Sequence, residues 1–416
     1  MPDAIRSTRL TSGATLLTER LSGVRSAALA WLLPVGVAAD PADRVGRAAL
    51  FAELLLRGDR TRNSRAQADA FDALGASRSA SAGTFALALR TTCLGPNLAD
   101  AAALLTESVR TPRFDPDSLE PARDLCLQTI ESLLDDRQQR VMLTLRQRHL
   151  PEPINRPSEG SREGLAAITH DELRPAWDAA AVPDRSIIAA AGDVDHDALA
   201  DHFNALLDGW TGSTPEPPFD PAAAHRGYHH VQDQSDQIHI ALAHDAPAET
   251  HPDAPLERLA AAVLDLGMAS RLFTEVREKR GLVYAVHASY AADRDFGRTS
   301  FYAGTTPDRA QQTLDVILDQ VRRLATPEGR VTPDEFERAV TGLKSRLVFS
   351  GESSGARARA LAADQRKLGK PRSLADRAAE IDAVTLDRLN DYLARRELGA
   401  MTTVTLGPKD LAPAAP

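Results

Sequence analysis

Hydrophobic and polar residues follow two different periods along the chain, and each change of period predicts a strand or a helix. The run SAALAWLLPVGV (26–37) is apolar almost throughout, which is typical of a strand covered on both faces. The stretch GRAALFAELLLRGD (46–59) has helical spacing, and Gly58 is placed to end that helix in a left-handed conformation. Alternation with a period of two in GTFALALRTTCL (83–94) predicts a strand with one large apolar face. The first half continues with a helical pattern at 98–148 that a loop at 111–118 (TPRFDPDS) interrupts. A strand at 185–195 and a helix that runs through Trp210 follow.

The second half repeats this order of strands and helices after a segment without periodicity. Residues 213–224 (STPEPPFDPAAA) are rich in proline and small residues, so we predict that they link two domains, 1–212 and 225–416. The predicted elements of the second domain are strands at 237–244, 282–291, 299–305 and 401–407, helices at 256–266 and 270–280, and a frayed Pro/Ala tail. Two halves with the same order of elements indicate a duplicated α+β domain.

The composition is that of a globular protein, and it narrows the range of partners. The 416 residues include 58 acidic and 49 basic side chains, and the net charge of −9 disfavours a nucleic-acid binder. Cys93 and Cys126 are the only cysteines, too few for a disulfide framework, so we expect reduced thiols and a cytoplasmic protein. The first residues lack the apolar core of a secretory signal, and the apolar runs are too short to span a bilayer. We therefore expect no membrane insertion.

One block in the second half carries a long and specific resemblance. The sequence LGMASRLFTEVREKRGLVYAVHASY (266–290) resembles the C-terminal-domain signature of the pitrilysin/insulinase zinc metallopeptidases, in the branch that includes mitochondrial processing peptidase. The matching elements are Ser-Arg-Leu-Phe at 270–273, Arg-Glu-Lys-Arg-Gly-Leu at 277–282, and Tyr284. The order of linker, second domain and closing strand also agrees. The resemblance implies two homologous α+β domains, each an antiparallel or mixed β-sheet flanked by α-helices, which form half of a clamshell.

In that family the N-terminal domain carries an inverted zinc motif, His-x-x-Glu-His, and the resemblance places it on the helix predicted at 46–59. Four residues of this chain fix the frame: Gly46, Ala48, Arg57 and Gly58. In this frame the two zinc histidines fall on Ala49 and Glu53, and the catalytic glutamate falls on Ala52. The family's third ligand, a glutamate on a later helix, falls on Thr129.

The chemistry of the motif requires donor atoms at these positions. Residues at i and i+4 stand on one face of a helix, so two imidazoles can share one Zn²⁺ while a glutamate polarises the bound water. Ala49 and Ala52 have no donor atoms, and Glu53 alone cannot hold a catalytic zinc. We therefore expect no zinc on this chain and infer that the helix is kept for packing. A site rebuilt from Glu53 and Glu131 is improbable because Glu131 points away from the position of Thr129.

Two residues of the second domain match the family's substrate-binding pair. Arg277 and Tyr284 resemble the Arg/Tyr pair that holds the substrate backbone near the scissile bond, and a guanidinium and a phenol can donate three hydrogen bonds to carbonyl or oxyanion groups. In the alternative, Arg277 only pairs with Glu275 or Glu278, and Tyr284 caps the sheet. The family also contains heterodimers in which a subunit without the zinc motif supplies this pair.

The sequence thus predicts a noncatalytic, substrate-binding subunit of a heterodimeric zinc metallopeptidase. Its expected partners are peptides and a homologous subunit that carries His-x-x-Glu-His, Zn²⁺ and the general base. A presequence-binding role is in doubt, because only Gly267 stands where the mitochondrial noncatalytic subunit has a Gly-rich loop. Two alternatives are a scaffold protein without proteolytic role and a homodimer. The His-rich segment HRGYHH (225–230) leaves the linker for a strand, so chelation from a helix is not expected there.

Overall fold

The computed structural model describes residues 5–221 and 224–412, which form two compact units. The first unit contains the described residues up to Ser132, together with Glu152–Asp220 and Ser350–Ser373. The second unit contains Leu133–Pro151, Pro221–Phe349 and the described residues from Leu374 onward. The change of unit at 220–221 falls inside the linker predicted at 213–224. Two segments differ from the predicted ranges: residues 133–151 belong to the second unit, and residues 350–373 belong to the first.

The described residues form eleven strands and fourteen α-helices. The strands are β1 Ile5–Arg9, β2 Thr15–Arg20, β3 Ser26–Leu33, β4 Ser77–Ala82, β5 Leu87–Leu94, β6 Ile187–Gly192, β7 Gly227–Gln232, β8 Ile238–Ala246, β9 Val283–Ala292, β10 Gly297–Thr305 and β11 Thr402–Gly407. The α-helices are α1 Arg47–Leu55, α2 Ser64–Ala73, α3 Leu98–Arg110, α4 Pro116–Asp135, α5 Arg137–His149, α6 Arg162–Ala167, α7 His170–Ala180, α8 His196–Leu206, α9 Ala254–Leu264, α10 Ala310–Arg323, α11 Pro333–Gly351, α12 Ser354–Leu368, α13 Leu374–Asp382 and α14 Leu386–Arg395. A π-helical segment, Phe273–Glu278, precedes β9.

The two sheets share one topology, which confirms a two-domain α+β architecture with mixed sheets. The first sheet has the strand order β1-β2-β6-β3-β5-β4, and the second has the order β7-β11-β8-β10-β9. The pair β2–β6 of the first sheet and the pair β7–β11 of the second are parallel. In both sheets the next three pairs along the strand order are antiparallel. Strand β1 is an additional antiparallel edge strand of the first sheet. The duplication is therefore visible in the connections, although the two halves share few residues.

The first sheet is covered on both faces, as the apolar run at 26–37 predicts. Leu29 and Trp31 of β3 are buried in the larger core of the first unit, whereas Ala28 and Ala30 face a smaller core on the other side. Helix α12 supplies Ala358, Leu361 and Ala362 to that smaller core. Small alanines on the strand allow a helix to approach this face closely.

The second sheet is covered in the same way by a helix from the first half of the sequence. Ile240 and Leu242 of β8 face the main core of the second unit, and Ala241 faces Val141 and Leu145 of α5 on the other side. Each sheet thus has one apolar face that is covered by a helix from the other half of the chain. Because α5 and α12 are each needed to cover a sheet formed by the other half, the two units depart from the predicted ranges 1–212 and 225–416.

Three local predictions require correction. The helix predicted at 270–280 is π-helical over Phe273–Glu278, because the amide of Lys279 donates to the carbonyl oxygen of Thr274 at 3.0 Å, one residue further back than in an α-helix. The helical pattern at 98–148 forms three helices: the loop predicted at 111–118 separates α3 from α4, whereas the second break, at Asp136 between α4 and α5, was not predicted. Strand β4 was not predicted because its sequence, SRSASA, is small and polar. The last four residues of the tail predicted to be frayed lie outside the described residues.

None of the helices in the described part of the chain is long and apolar enough to cross a bilayer.

Candidate functional site

Helix α1, which carries the degenerate zinc-motif positions, begins at a buried carboxylate. The side chain of Asp40 accepts hydrogen bonds from the backbone amides of Gly46 at 3.0 Å and Ala48 at 3.2 Å. Burial raises the pKa of Asp40 to about 6, although these two amides and the charges of Arg47 and Arg156 act in the opposite direction. Asp40 therefore satisfies amide groups at the start of α1 that have no partner within the helix.

The motif positions on α1 are occupied by side chains that take part in packing. Ala52 is buried in the core of the first unit, and Ala49 is half-buried against the same core. Glu53 follows on the helix and is half-buried. The helix continues to Leu55, and Gly58 then adopts a φ of +122°, the left-handed conformation predicted at this position.

Helix α4, which carries the position of the third ligand, packs into the same core as α1, because Ala122 and Cys126 of α4 and Phe51 of α1 belong to one cluster of buried residues. Burial raises the pKa of the Cys126 thiol to about 12, and the charge of Glu53 on α1 acts in the same direction. Thr129, one turn after Cys126, is exposed, and its hydroxyl donates to the carbonyl oxygen of Leu125 at 2.9 Å. The hydroxyl of Thr129 is thus engaged by its own helix.

Arg123 holds helix α4 in place through contacts that involve no metal. This buried guanidinium donates to the carbonyl oxygens of Leu165 and Ile168, the latter at 2.9 Å, and pairs with Glu120 at 3.1 Å. It thereby fixes α4 to the end of α6. The residue serves the packing of the first unit, which requires no metal.

The residues at the family's zinc positions do not fit a zinc ion. Two alanine methyl groups, one carboxylate and one threonine hydroxyl cannot supply the three strong donors of a catalytic site. The carboxylate of Glu131, considered above for a rebuilt site, forms an ion pair with Arg162 at 3.0 Å. Within residues 5–221 and 224–412 the structure shows no group of three or more His, Cys, Asp or Glu side chains that could hold a metal ion.

Arg277 lies at the C-terminal end of the π-helical segment and is exposed. Its guanidinium carbon is 4.9 Å from the centroid of the Phe273 ring. Glu275, the carboxylate considered above as its partner, is bound instead by Lys279 at 2.6 Å and by Arg280 at 2.7 Å. No carboxylate of a described residue lies within ion-pair distance of Arg277. The structure therefore leaves the donors of this guanidinium available to a ligand.

Tyr284 lies at a β-bulge in the edge strand β9. Gly304 pairs with Ala285 and Thr305 pairs with Val283, so Tyr284 is the additional residue between them. Its side chain is 69% exposed, while the neighbouring Val283 is buried. Bulges re-aim side chains and are frequent beside active sites. The bulge directs the phenol to solvent, so Tyr284 does not cap the sheet.

A half-buried ion pair between Arg271 and Glu335 anchors the segment that carries Arg277 and Tyr284. Arg271 donates to the two carboxylate oxygens of Glu335 at 2.9 and 2.7 Å, and to the carbonyl oxygen of Gly329 at 2.7 Å. Burial alone would raise the pKa of Glu335, but the hydrogen bonds from Arg271 and Thr332 outweigh it and the pKa is lowered. The Ser-Arg-Leu-Phe string is thus fixed against the start of α11.

Sequence reasoning did not identify a groove of about 920 Å³ in the second unit. It is lined by the N-terminus of α5, the turn between β7 and β8, and by His239 and Tyr302. Nδ1 of His239 lies 2.9 Å from the phenol oxygen of Tyr302. Burial lowers the pKa of His239 and raises that of Tyr302 to about 12, so both rings are neutral near pH 7. These residues come from distant segments, and no local pattern indicates that they meet.

The histidines of β7 and β8 do not come together. His239 lies on the face of β8 that carries the groove, and His244, five residues later, lies on the opposite face. His229 and His230 are neighbours on β7 and point to opposite faces of the sheet. A ring nitrogen of His229 lies 2.9 Å from the carbonyl oxygen of His225.

Comparison with known proteins identifies the family. Residues 15–158 match the family model described as insulinase (peptidase family M16), and residues 167–343 match the one described as peptidase M16 inactive domain. An uncharacterized zinc protease of Mycobacterium tuberculosis (strain H37Rv) is 29% identical over 97% of this chain and 93% of its own length. An uncharacterized zinc protease of Bacillus subtilis is 24% identical over 92% of this chain and 93% of its own length.

Solved structures show the same fold. The crystal structure of a peptidase M16 inactive domain from Pseudomonas fluorescens superposes with a TM-score of 0.84 at 22% identity and covers 98% of both chains. The structure of a protease from Helicobacter pylori gives a TM-score of 0.87 at 17% identity, over 97% of this chain and 99% of that chain. Because the two matched family models describe one family and together span most of the sequence, this chain belongs to the insulinase family of peptidases, M16.

Proposed function

We propose that this chain is the noncatalytic, substrate-binding subunit of a heterodimeric zinc metallopeptidase that cleaves peptides in a closed chamber. A homologous partner with His-x-x-Glu-His would supply Zn²⁺ and the general base. The observation that carries the proposal is the contrast between two parts of the chain. The zinc positions on α1 and α4 have lost their donors, whereas Arg277 and Tyr284 are exposed and are held by well-packed structure.

The chemistry of the pair suits a peptide backbone. The planar guanidinium of Arg277 can donate two parallel hydrogen bonds to a carbonyl or to the oxyanion of a tetrahedral intermediate, and the phenol of Tyr284 can add a third. Neither group can act as the base that activates water, because a guanidinium has no acceptor atom and a phenol oxygen is only a weak acceptor. The pair therefore binds and orients a substrate, and cleavage requires a base and a metal from the partner.

A binding experiment with the heterodimer tests the proposal without interference from cleavage. The candidate partner is a homologous chain of similar length with His-x-x-Glu-His from the same genome. Its catalytic glutamate is replaced by glutamine. Fluorescence anisotropy then measures the affinity of the complex for a labelled, unstructured peptide. We expect Arg277→Ala to weaken binding about 10- to 100-fold, the effect of losing charge-assisted hydrogen bonds, and Tyr284→Phe to weaken it about 2- to 10-fold.

Lys409→Ala is the control, since Lys409 is also an exposed cation of the second unit. Lys409 does not contact Glu275 or Arg277, so we expect unchanged affinity. Equal affinity of the wild-type complex and of the Arg277 and Tyr284 variants would contradict the proposal. That outcome would favour a scaffold protein in which the pair has no ligand.

A further inference from the structure

We propose that Phe273 is a positioning residue for Arg277. The guanidinium of Arg277 lies over the face of the Phe273 ring. This contact leaves the N–H groups of the guanidinium free to donate to a carbonyl oxygen of a bound peptide. The nature of this ligand rests on the proposed function. The contact between ring and guanidinium is a property of this chain alone.

The backbone brings the two side chains together. Phe273 and Arg277 are four residues apart and form the first and fifth positions of the π-helical segment, and the guanidinium carbon lies 4.9 Å from the ring centroid. Leu272 and Val276, each one position earlier, are fully buried in the core of the second unit. These two anchors fix the rotation of the segment, so Phe273 and Arg277 lie together on its outer side.

A ring suits this role better than a carboxylate. A carboxylate beside Arg277 would neutralise the charge and occupy the N–H donors that a peptide carbonyl requires. An aromatic ring attracts the cation through its quadrupole and contacts only the guanidinium face. The one acidic side chain inside the π-helical segment ahead of Arg277 is Glu275, and Lys279 and Arg280 bind it on both oxygens. Glu275 is thus held by two other cations, and the guanidinium of Arg277 remains available.

The position of the ring is itself fixed. Phe273 is half-buried and follows directly on the string that Arg271 anchors through its two hydrogen bonds to Glu335. The amide of Thr274 donates to the carbonyl oxygen of Ser270 at 3.0 Å and joins this anchored turn to the π-helical one. The ring is therefore a rigid support for an otherwise exposed and flexible side chain.

The first part of the test measures the contact in this chain alone. In a ¹⁵N-arginine-labelled sample, the Nε–Hε signal of Arg277 is assigned from the Arg277→Lys variant. We expect this signal to move downfield in Phe273→Leu, because the ring current is removed, and to stay close to its wild-type position in Phe273→Tyr. Phe349→Leu is the matched control, since Phe349 is an exposed phenylalanine elsewhere in the same unit. An Arg277 signal that does not respond to Phe273→Leu overturns the proposal.

The second part measures peptide affinity in the heterodimer described above. An exposed cation–π contact corresponds to about a two- to fivefold loss of affinity in Phe273→Leu, with recovery in Phe273→Tyr and no effect in Phe349→Leu. Equal affinities for wild type and Phe273→Leu, together with a moved Arg277 signal, also overturn the positioning role. If wild type binds no peptide while the Arg277 signal responds, the proposed function fails, and the inference that Phe273 holds the guanidinium is supported.

Discussion

The protonation of Asp40 provides a quantitative test of how helix α1 is held. Its pKa rises from an ordinary value of 3.8 to about 6 because the carboxyl is buried, and this corresponds to a free-energy difference of about 3 kcal/mol. A carboxyl with a higher pKa in the folded chain binds its proton more tightly when folded. Its stabilising contribution is complete below about pH 4 and is lost as the pH rises through about 6. We therefore expect wild type to lose about 2–2.5 kcal/mol relative to Asp40→Asn between pH 4 and pH 7.

The assay is urea unfolding of wild type and Asp40→Asn at a series of pH values, followed by tryptophan fluorescence. All tryptophans of the chain lie in the first unit, where Asp40 also lies: Trp31, Trp177 and Trp210. Asparagine keeps an oxygen that can accept the amide of Gly46, so the cap remains and the variant does not titrate. A stability difference that is constant with pH, or that changes in favour of wild type as the pH rises, would refute the reasoning.

Three further predictions concern the first unit and its lack of a metal. Arg357→Met should lower the free energy of unfolding by about 3–5 kcal/mol, because Arg357 and Glu19 form a buried ion pair at 2.6 Å. The control is Arg359→Met on the same helix, which should have little effect because Arg359 is exposed. Gly192→Ala should lower the free energy of unfolding by about 1–3 kcal/mol, because φ is +114° and a Cβ would lie 2.1 Å from the carbonyl oxygen of Ser26; urea unfolding measures both. Added Zn²⁺ should not raise the melting temperature of the isolated chain above that in EDTA, and a zinc-dependent rise of several degrees would contradict the account of α1.

The sequence predicts the fold where periodicity and the family signature are strong. The apolar run at 26–37 contains β3 with both faces covered, and the left-handed Gly58 follows α1 as its position indicates. It does not predict that α5 and α12 each cover the sheet of the other half. Covering a second sheet face requires only an amphipathic helix of suitable length, and its sequence does not specify which sheet it meets.

The candidate site divides in the same way. The sequence shows that Ala49 and Thr129 stand where the family has zinc ligands. Zinc binding requires particular side-chain atoms, so their loss can be recognised without a structure. The bulge that exposes Tyr284 depends on the register between β9 and β10, which is a property of two paired strands. The contact of Phe273 with Arg277 could have been suspected from their spacing of four residues, but only the π-helical geometry shows that it forms.

The most direct test of the central claim compares peptide hydrolysis by this chain alone, by the partner with His-x-x-Glu-His alone, and by their mixture. Arg277→Ala and Tyr284→Phe are examined in the mixture. The account predicts cleavage only in the mixture, with a strong loss of activity in the Arg277 variant and a smaller loss in the Tyr284 variant. Zinc-dependent cleavage by this chain alone, or cleavage by the partner alone that this chain does not change, would contradict it.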